Sequence, residues 1–524
     1  MTAKIDISPE QLAIVQGILK DHLPKGTLAW AFGSRVTLTA KPFSDLDIAL
    51  EGAAPLAPDV LIDLEEAFEA SDLPWKVDVI DLTAVSPEFR AIVERQRVPA
   101  DWEEAPLASL LTKVIDNRGR TCPVVDSGFP LIATNCVKDT NLYPVFEKVR
   151  FVDQETYDTW FRGHPEPGDL IFVLKGSPGS VCLTPDPVPF CIAQDMVALR
   201  ANPKRVYPPY LFAALRSEST KRAILNMHVG TMIPHFKKGD FDKLKIPLPN
   251  EASQKAIGDW YLLLSKKIEL NRRMNETLEA MSRAVFRDWF VDFGPTRRKA
   301  AGLTDPAAIL GGLLPDPTQA PPLAALFPDS FGDNGLPEGW EERTCADFMD
   351  ILDSKRVPLS AREREKKAGD IPYYGATSVM GYVDEALFDE VLLLVGEDGS
   401  VVRPDGTPFT QYIWGKSWVN NHAHVLKGAG ISTEQLKVFI DQVQIQPYVT
   451  GAVQAKLNQK NMKTIPLIFG GTKLHESYDS FVRPIFDLIR NNTEENQTLA
   501  ATRDLLLPKL MSGEIRLTGA EGVV

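Results

Sequence analysis

NETLEAMSRAVF, residues 275–286, is written again 221 residues later as NQTLAATRDLLL, residues 496–507. Asn opens both copies, Thr-Leu follows at 277–278 and 498–499, and an apolar run closes each. Around the first copy, Ile257, Tyr261, Leu264, Ile268, Asn271, Asn275, Leu278, Ser282 and Val285 alternate spacings of four and three. Adding 221 gives Tyr478, Val482, Ile485, Ile489, Asn492, Asn496, Leu499, Arg503 and Leu506. One heptad seam is written twice, so a long amphipathic helix is expected in each copy. The polar positions recur with the apolar ones: Asn271 and Asn275 become Asn492 and Asn496. A seam amide costs stability but fixes register, because it must meet a hydrogen-bonding partner.

The duplication extends upstream of the helices. IFVLKGSPGSV (171–181) is echoed by VLLLVGEDGSV (391–401), and VGTMIPHFKKGDFDKLKIPLP (229–249) by TGAVQAKLNQKNMKTIPL (450–467). DWEEAPLASLL at 101 returns as GWEERTCADFM at 339. Each copy therefore reads as a strand-rich globular head followed by its helix. The Gly-x-x-Gly-Ser-Val turns read as hairpins, since neither opens a helix. Residues 294–336, punctuated by Pro and Gly, read as a long surface connection with short helical pieces. The expected architecture is multidomain α+β. An α/β domain over 1–103 precedes two mixed α/β heads, 104–250 and 337–470. Spacer helices over 251–293 and 471–517 pair as an antiparallel coiled coil.

Charge separates the front of the chain from the rest. The net charge is −13; residues 1–103 hold 9 Lys+Arg against 18 Asp+Glu, and residues 104–250 hold 18 against 15. The acidity is mostly local, and a near-neutral body leaves room for a basic face on nucleic acid. The five cysteines, Cys122, Cys136, Cys182, Cys191 and Cys345, are scattered without a CxxC pair, as in a reduced, cytoplasmic protein. No apolar run approaches the ~18 residues of a membrane span.

Chemistry in the two heads is sparse. GGTKL (470–474) lacks phosphate-loop spacing, and YPPY (207–210) begins with Tyr where an amino-methyltransferase loop needs Asn, Asp or Ser. His422 and His424 in NNHAH share a strand face, but AQDMV (193–197) at the equivalent place has no histidine, which argues against a metal. HFKKGD (235–240) and KLNQKN (456–461) hold equivalent places in the repeat. Lys237, Lys238, Lys456 and Lys460 suit phosphates, and the amides of Asn458 and Gln459 suit adenine in a major groove.

The first hundred residues carry their own motif, AFGSRVTLTAKPFSDLDIAL (31–50). Asp45 and Asp47 alternate on a strand and so face one side, where they can hold Mg²⁺ against triphosphate oxygens. Gly33 lets the backbone approach the phosphates, and Ser34 can donate to one. This pattern resembles the minimal nucleotidyltransferases of the polymerase-β superfamily. The resemblance adds Arg35 to the nucleotide-binding stretch and places the third carboxylate at Asp78, with Asp81 as the alternative. It implies Mg²⁺ and a nucleoside triphosphate as cofactors. One departure is the loop VTLTAKPF (36–43), which lacks the glycine many such enzymes have there.

Residues 102–515 resemble the specificity subunit of type I restriction-modification systems. The likeness rests on the order head, helix, head, helix, and on WFVDFGP (289–295), FPDSF…LPEGW (327–340), IPYYGATSVMGYVD (371–384), VGEDGS (395–400), LNQKNMKTIPL (457–467) and LLLPKLMSGEIRL (505–517). It implies double-stranded DNA as the ligand, each head reading half of a split target, and no cofactor for this body. It also implies docking of two methyltransferase subunits on the helices and a restriction/translocase subunit as a further partner. The N-terminal domain would then transfer a nucleotide or serve regulation. A second reading makes the chain a nucleotidyltransferase, antitoxin-like or nucleotidylating protein or RNA, with the repeat as its targeting scaffold.

Overall fold

The computed structural model describes residues 5–515, apart from 25, 42, 53, 118–120, 228–233, 314–316 and 452–454. Residues 1–4 and 516–517 of the expected domains lie outside the described residues. The chain divides into two compact units: Met1–Leu270 with Glu495–Val524, and Asn271–Glu494.

In the first unit, Ser8 caps α1 (Pro9–His22) through a reciprocal box with Gln11. Strands β1 (Leu28–Phe32), β2 (Leu46–Glu51), β3 (Val77–Asp81) and β4 (Val98–Pro99) form one sheet in the order β3-β2-β1-β4. β2 and β3 are parallel, joined through α2 (Pro58–Glu69), while β1 runs antiparallel to both neighbours. Alternation sorts the sheet's side chains. Ala29, Ala31, Ile48 and Leu50 meet Val15 and Leu19 of α1 and Leu64 and Phe68 of α2. Trp30, Phe32 and Ala49 meet Val93 of α3 (Pro87–Gln96) on the other face. Trp102 belongs to the core of the first head, and Glu103 opens a strand, Glu103–Pro106, paired with Lys245–Leu248.

The two heads share a topology. In the first, strands Val181–Leu183, Leu170–Val173, Met196–Ala201 and Leu111–Asp116 lie in that order, all antiparallel. In the second, Thr410–Ile413, Leu392–Gly396, Ala423–Gly428 and Met349–Ile351 repeat the order and the directions. Each head adds a second sheet, three-stranded in the first and four-stranded in the second, with one parallel pair, Phe129–Ile132 beside Cys191–Ile192 and Ile371–Tyr374 beside Lys416–Val419. The ends of the second head pair too, Glu341–Thr344 with Pro466–Phe469. The first Gly-x-x-Gly-Ser-Val turn joins adjacent strands, as expected of a hairpin. The second leads through a side excursion, closed by a bridge between Val402 and Pro408, before its partner strand begins at Thr410.

Two forty-residue helices follow the heads, Glu251–Phe290 and Thr472–Met511. At 1.5 Å per residue each is about 60 Å long. In the first unit Ile257 and Tyr261 share a core with Leu507 and Leu510, and the Arg503 guanidinium lies 5.4 Å over the Tyr261 ring. There Asn496 Nδ2 donates to Ile268 O at 3.3 Å. Gly258 is required by packing, since a Cβ would lie 2.5 Å from Tyr210 N of the first head. In the second unit Asn275 Nδ2 donates to Ile489 O at 3.3 Å and to Thr493 Oγ1 at 3.2 Å. Asn492 Nδ2 donates to Asn275 Oδ1 at 2.8 Å, and Tyr478 donates to Ser282 O at 2.9 Å. In both units rising numbers on one helix meet falling numbers on the other. Asn275 to Ile489 and Asn496 to Ile268 are one hydrogen bond written twice, at the offset of 221 read from the sequence. Asn271 is fully buried.

The segment 294–336 is not the surface connection expected. Its apolar residues Ile309, Leu310, Leu323 and Phe327 are buried with Trp289, Phe290 and Trp340, and the Trp289 and Phe327 rings meet edge to face at 5.4 Å. Arg298 grips both carboxylate oxygens of Asp288 at 3.0 and 2.6 Å and donates to Ile309 O at 2.6 Å. Pro and Gly end the short helices but do not keep the chain at the surface.

The same core holds His475, 2% exposed, stacked on Phe290 and Phe469 with Nδ1 2.6 Å from the Gln435 amide. Burial, with a smaller effect of Arg343, pushes its pKa down to about 4. An unfolded histidine binds a proton near 6.5. Stability from this site is therefore complete above about pH 6.5 and is lost as pH falls toward 4. Urea titrations should show the second unit losing about 2 kcal/mol between pH 7 and 5 through this residue. His475→Phe should flatten that dependence; an unchanged slope would assign it elsewhere.

Candidate functional site

The acidic motif is assembled by strand register. Asp47 lies opposite Phe32 in the β1–β2 ladder and opposite Asp78 in the β2–β3 ladder. Asp45 precedes β2, two residues before Asp47, so it turns to the same side. The chain leaves β1 at Gly33 with φ +76°, and a Cβ there would lie 2.1 Å from Asp47 Oδ2. Only glycine fits beneath that carboxylate. Burial, and then the charges of Asp78 and Asp45, raise the pKa of Asp47 above the ordinary aspartate value. The charges of Asp78 and Asp45 both reach Asp47, a set of oxygen donors whose repulsion a cation's charge would relieve, although the three carboxylates do not bring ligand atoms within 4.8 Å of one another as Asp353, Glu397 and His424 do. Lys76, two residues before Asp78 and so on its side of the strand, supplies part of that charge: Nζ lies 2.6 Å from Asp78 Oδ1, both groups exposed.

Asp81 does other work. It is buried, three residues from Asp78 and so on the other side of the strand. It accepts from Leu56 N, Thr83 N and Thr83 Oγ1 at 2.7–2.8 Å. Burial alone would raise its pKa, but these hydrogen bonds overcome it and hold the carboxyl below the usual range.

Arg35 corrects the sequence reading. It is 4% exposed and turned inward, with Nε and a terminal nitrogen donating to Ser44 O at 2.9 and 2.6 Å. The other terminal nitrogen donates to Asp6 O at 2.7 Å, and the guanidinium lies 4.4 Å over Trp75. It clasps the loop 36–43 at the residue before Asp45 and does not reach for phosphate. Ser34 remains half-buried beside Gly33. The loop, lacking glycine, makes its left-handed turn at Leu38, φ +58°.

The lysines and amides proposed for DNA are dispersed. In the first head Lys238 pairs with Asp116, and Lys237 is exposed before a short 3₁₀ turn. In the second, Lys456 lies 3.3 Å from Glu397 and Lys460 is exposed. Asn458 Oδ1 caps helix Gln459–Lys463 by accepting from Asn461 N at 2.8 Å. The Gln459 amide nitrogen is taken by Asp353 Oδ2 at 2.6 Å, so neither side chain offers the free amide edge that paired contacts to adenine require. Tyr207 and Tyr210 of YPPY are structural: they donate to Asp259 Oδ1 at 2.6 Å and to Pro247 O at 2.5 Å.

His424, Asp353 and Glu397 do bring ligand atoms within 4.8 Å of one another. A cation already lies among them, since Arg356 bonds Glu397 at 2.7 Å and approaches Asp353 at 3.3 Å. His422 turns away to Asp398 at 2.7 Å. The set fits an internal ion-pair network better than a metal. No motif or period marks Asp353, which lies 71 residues from His424.

Gly33→Ala should displace the Asp47 carboxylate and strain the turn. Mn²⁺ titration of the full chain should show at least a tenfold weaker site, with the melting of the heads unchanged; undiminished affinity would remove Asp47 from the metal site.

A family model described as the type I restriction modification DNA specificity domain matches residues 130–280 and 337–469, together more than half of the chain. Another, polymerase beta nucleotidyltransferase, matches residues 15–98. The type I restriction enzyme HindI specificity subunit of Haemophilus influenzae is 24% identical over 402 residues, 66% of this chain and 86% of that protein. The probable protein adenylyltransferase MntA of the same organism is 47% identical over 102 residues, 20% of this chain and 89% of that protein. A crystal structure of the type I restriction-modification S subunit from M. genitalium aligns with TM-score 0.45 and 17% identity, covering 78% of this chain and 96% of that one. The chain belongs to the type I restriction modification DNA specificity family, and carries a polymerase β nucleotidyltransferase domain in front of its two specificity domains.

Proposed function

We propose that the chain is the DNA sequence-specificity subunit of a type I restriction-modification complex. Each head reads one half of a bipartite double-stranded target. The two long helices form an antiparallel coiled coil that sets the distance between the halves and docks two methyltransferase subunits, with restriction/translocase subunits completing the assembly. The observation that carries this reading is the duplication itself: two heads of one strand order, and one seam hydrogen bond repeated at 268/496 and 275/489.

The N-terminal domain suits transfer of a nucleotide to a protein, as the name of its relative, a probable protein adenylyltransferase, indicates for that relative; the acceptor fitting this chemistry is a side-chain hydroxyl. Asp45, Asp47 and Asp78 would hold Mg²⁺, which neutralises the triphosphate and polarises its α-phosphorus. Asp78 takes the proton of the acceptor hydroxyl, whose oxygen bonds to phosphorus as pyrophosphate leaves. Gly33 and Ser34 seat the phosphates, while Arg35 positions the segment that delivers Asp45.

A matched insertion tests the spacing role. Duplicating residues 261–267 in the first helix and 496–502 opposite it adds one heptad to each, about 10 Å at 1.5 Å per residue. Methylome sequencing should then show the gap between half-sites grown by about 3 bp, at 3.4 Å per base pair. An unchanged gap would remove the ruler. For the front domain, Asp45→Asn with Asp47→Asn should abolish Mg²⁺-dependent labelling of protein from ATP labelled at the α-phosphate. Labelling that survives the double change would refute the assignment of these acids.

A further inference from the structure

The second head contains a buried polar network that nothing above employs. Asp353 Oδ1 accepts from Val425 N at 2.8 Å. Its Oδ2 accepts from Gln459 Nε2 at 2.6 Å and lies 2.6 Å from His424 Nδ1 and 3.3 Å from the Arg356 guanidinium. His424 is 1% exposed, with its other ring nitrogen 2.7 Å from Leu457 O.

This arrangement orients one amide. Burial alone would raise the pKa of Asp353, but hydrogen bonds from His424, Val425 and Gln459 hold it below the usual value, so the group is a carboxylate that only accepts. Gln459 can meet it only through its NH₂. With the nitrogen held by Asp353, Oε1 is the amide atom left without a partner among the described residues and so the one able to accept. Gln459 is itself exposed at the head's surface. It stands in KLNQKNMK (456–463), which holds Lys456, Lys460 and Lys463 and no acid, and Lys460 and Lys463 are exposed. A fixed acceptor in a cationic rim suits a donor carried on a phosphate backbone. In a major groove those donors are the exocyclic amino groups of adenine and cytosine; guanine and thymine place a carbonyl oxygen there instead.

We propose that Gln459 is a specificity-determining residue of the second head: anchored by Asp353 through its NH₂, it accepts through Oε1 a hydrogen bond from the amino group of an adenine or cytosine on one strand of one half-site. The inference rests on the heads reading DNA as proposed above. An unanchored glutamine could turn over and accept or donate, so it could not tell an amino group from a carbonyl. Asp353 removes that freedom. HFKKGDFDKLK (235–245), the matching stretch of the first head, has no amide side chain, so that head reads its half by other groups.

The test uses the full chain assembled with its methyltransferase subunits. Methylome sequencing of Gln459→Ala should show one base position of one half-site relaxed, with the other half and the spacing retained. Duplexes lacking the amino group at that position, 2′-deoxynebularine replacing adenine or the 4-unsubstituted pyrimidinone replacing cytosine, should bind the unaltered complex about tenfold more weakly. They should bind the Gln459→Ala complex no more weakly than the natural duplex. Asp353→Asn, checked for folding by its melt and by retention of the other half-site, should relax the same position, because an Asn can turn its own NH₂ toward Gln459 and release the amide to flip. A motif unchanged by Gln459→Ala, or equal losses from amino deletion with and without Gln459, would overturn the inference. Absence of any bipartite methylation by the unaltered complex would instead overturn the reading of the heads.

Discussion

The hydrogen bond from Asn275 to the Ile489 carbonyl, with its counterpart from Asn496 to Ile268, is the constraint on which the long helices depend. An amide in an apolar seam gains about 1 kcal/mol when paired and costs 1–3 kcal/mol when stranded. Sliding one helix by a heptad would move Asn275 from Ile489 and Asn492 to Val482 and Ile485, or to Asn496 and Leu499, and Asn492 would lose the Asn275 oxygen it now bonds at 2.8 Å. Leucine at these places would pack more strongly and tolerate several registers. The amides trade stability for a single one. Each helix continues from the head before it after only two residues, so register is also a statement about where a head's last strand, Lys245–Leu248 or Pro466–Phe469, is held.

Much of this was legible because it is local or periodic. Seam positions recur every seven residues, the heads recur at a fixed offset, and strand alternation alone puts Asp45 and Asp47 on one side. What escaped the sequence depends on contacts distant along the chain. The apolar residues of 294–336 are too interrupted by Pro and Gly to show a period, yet Trp289 and Trp340 bury them. Arg35 looks like a phosphate ligand beside Gly-Ser until Ser44, nine residues on, and Asp6 claim its nitrogens. Gln459 looks like a free amide until Asp353, 106 residues earlier, takes its nitrogen.

The front domain joins the first head without a loose linker. Ala100 still bonds Ala29 O of β1, Trp102 is in the head's core, and Gln16 of α1 donates to Trp102 O at 2.6 Å. The front domain's acidity, concentrated before residue 104, makes that domain a poor surface for phosphates.

The central claim is that the two heads are separate readers held by one repeated frame. It is tested most directly by replacing residues 341–469 with a second copy of residues 103–248, joining each insert at the paired strands that bound both heads. Methylome sequencing of cells carrying this chain and its methyltransferase subunits should then report a palindromic motif, two inverted copies of the half-site read by the first head. A motif that still contains the second half-site would contradict the account.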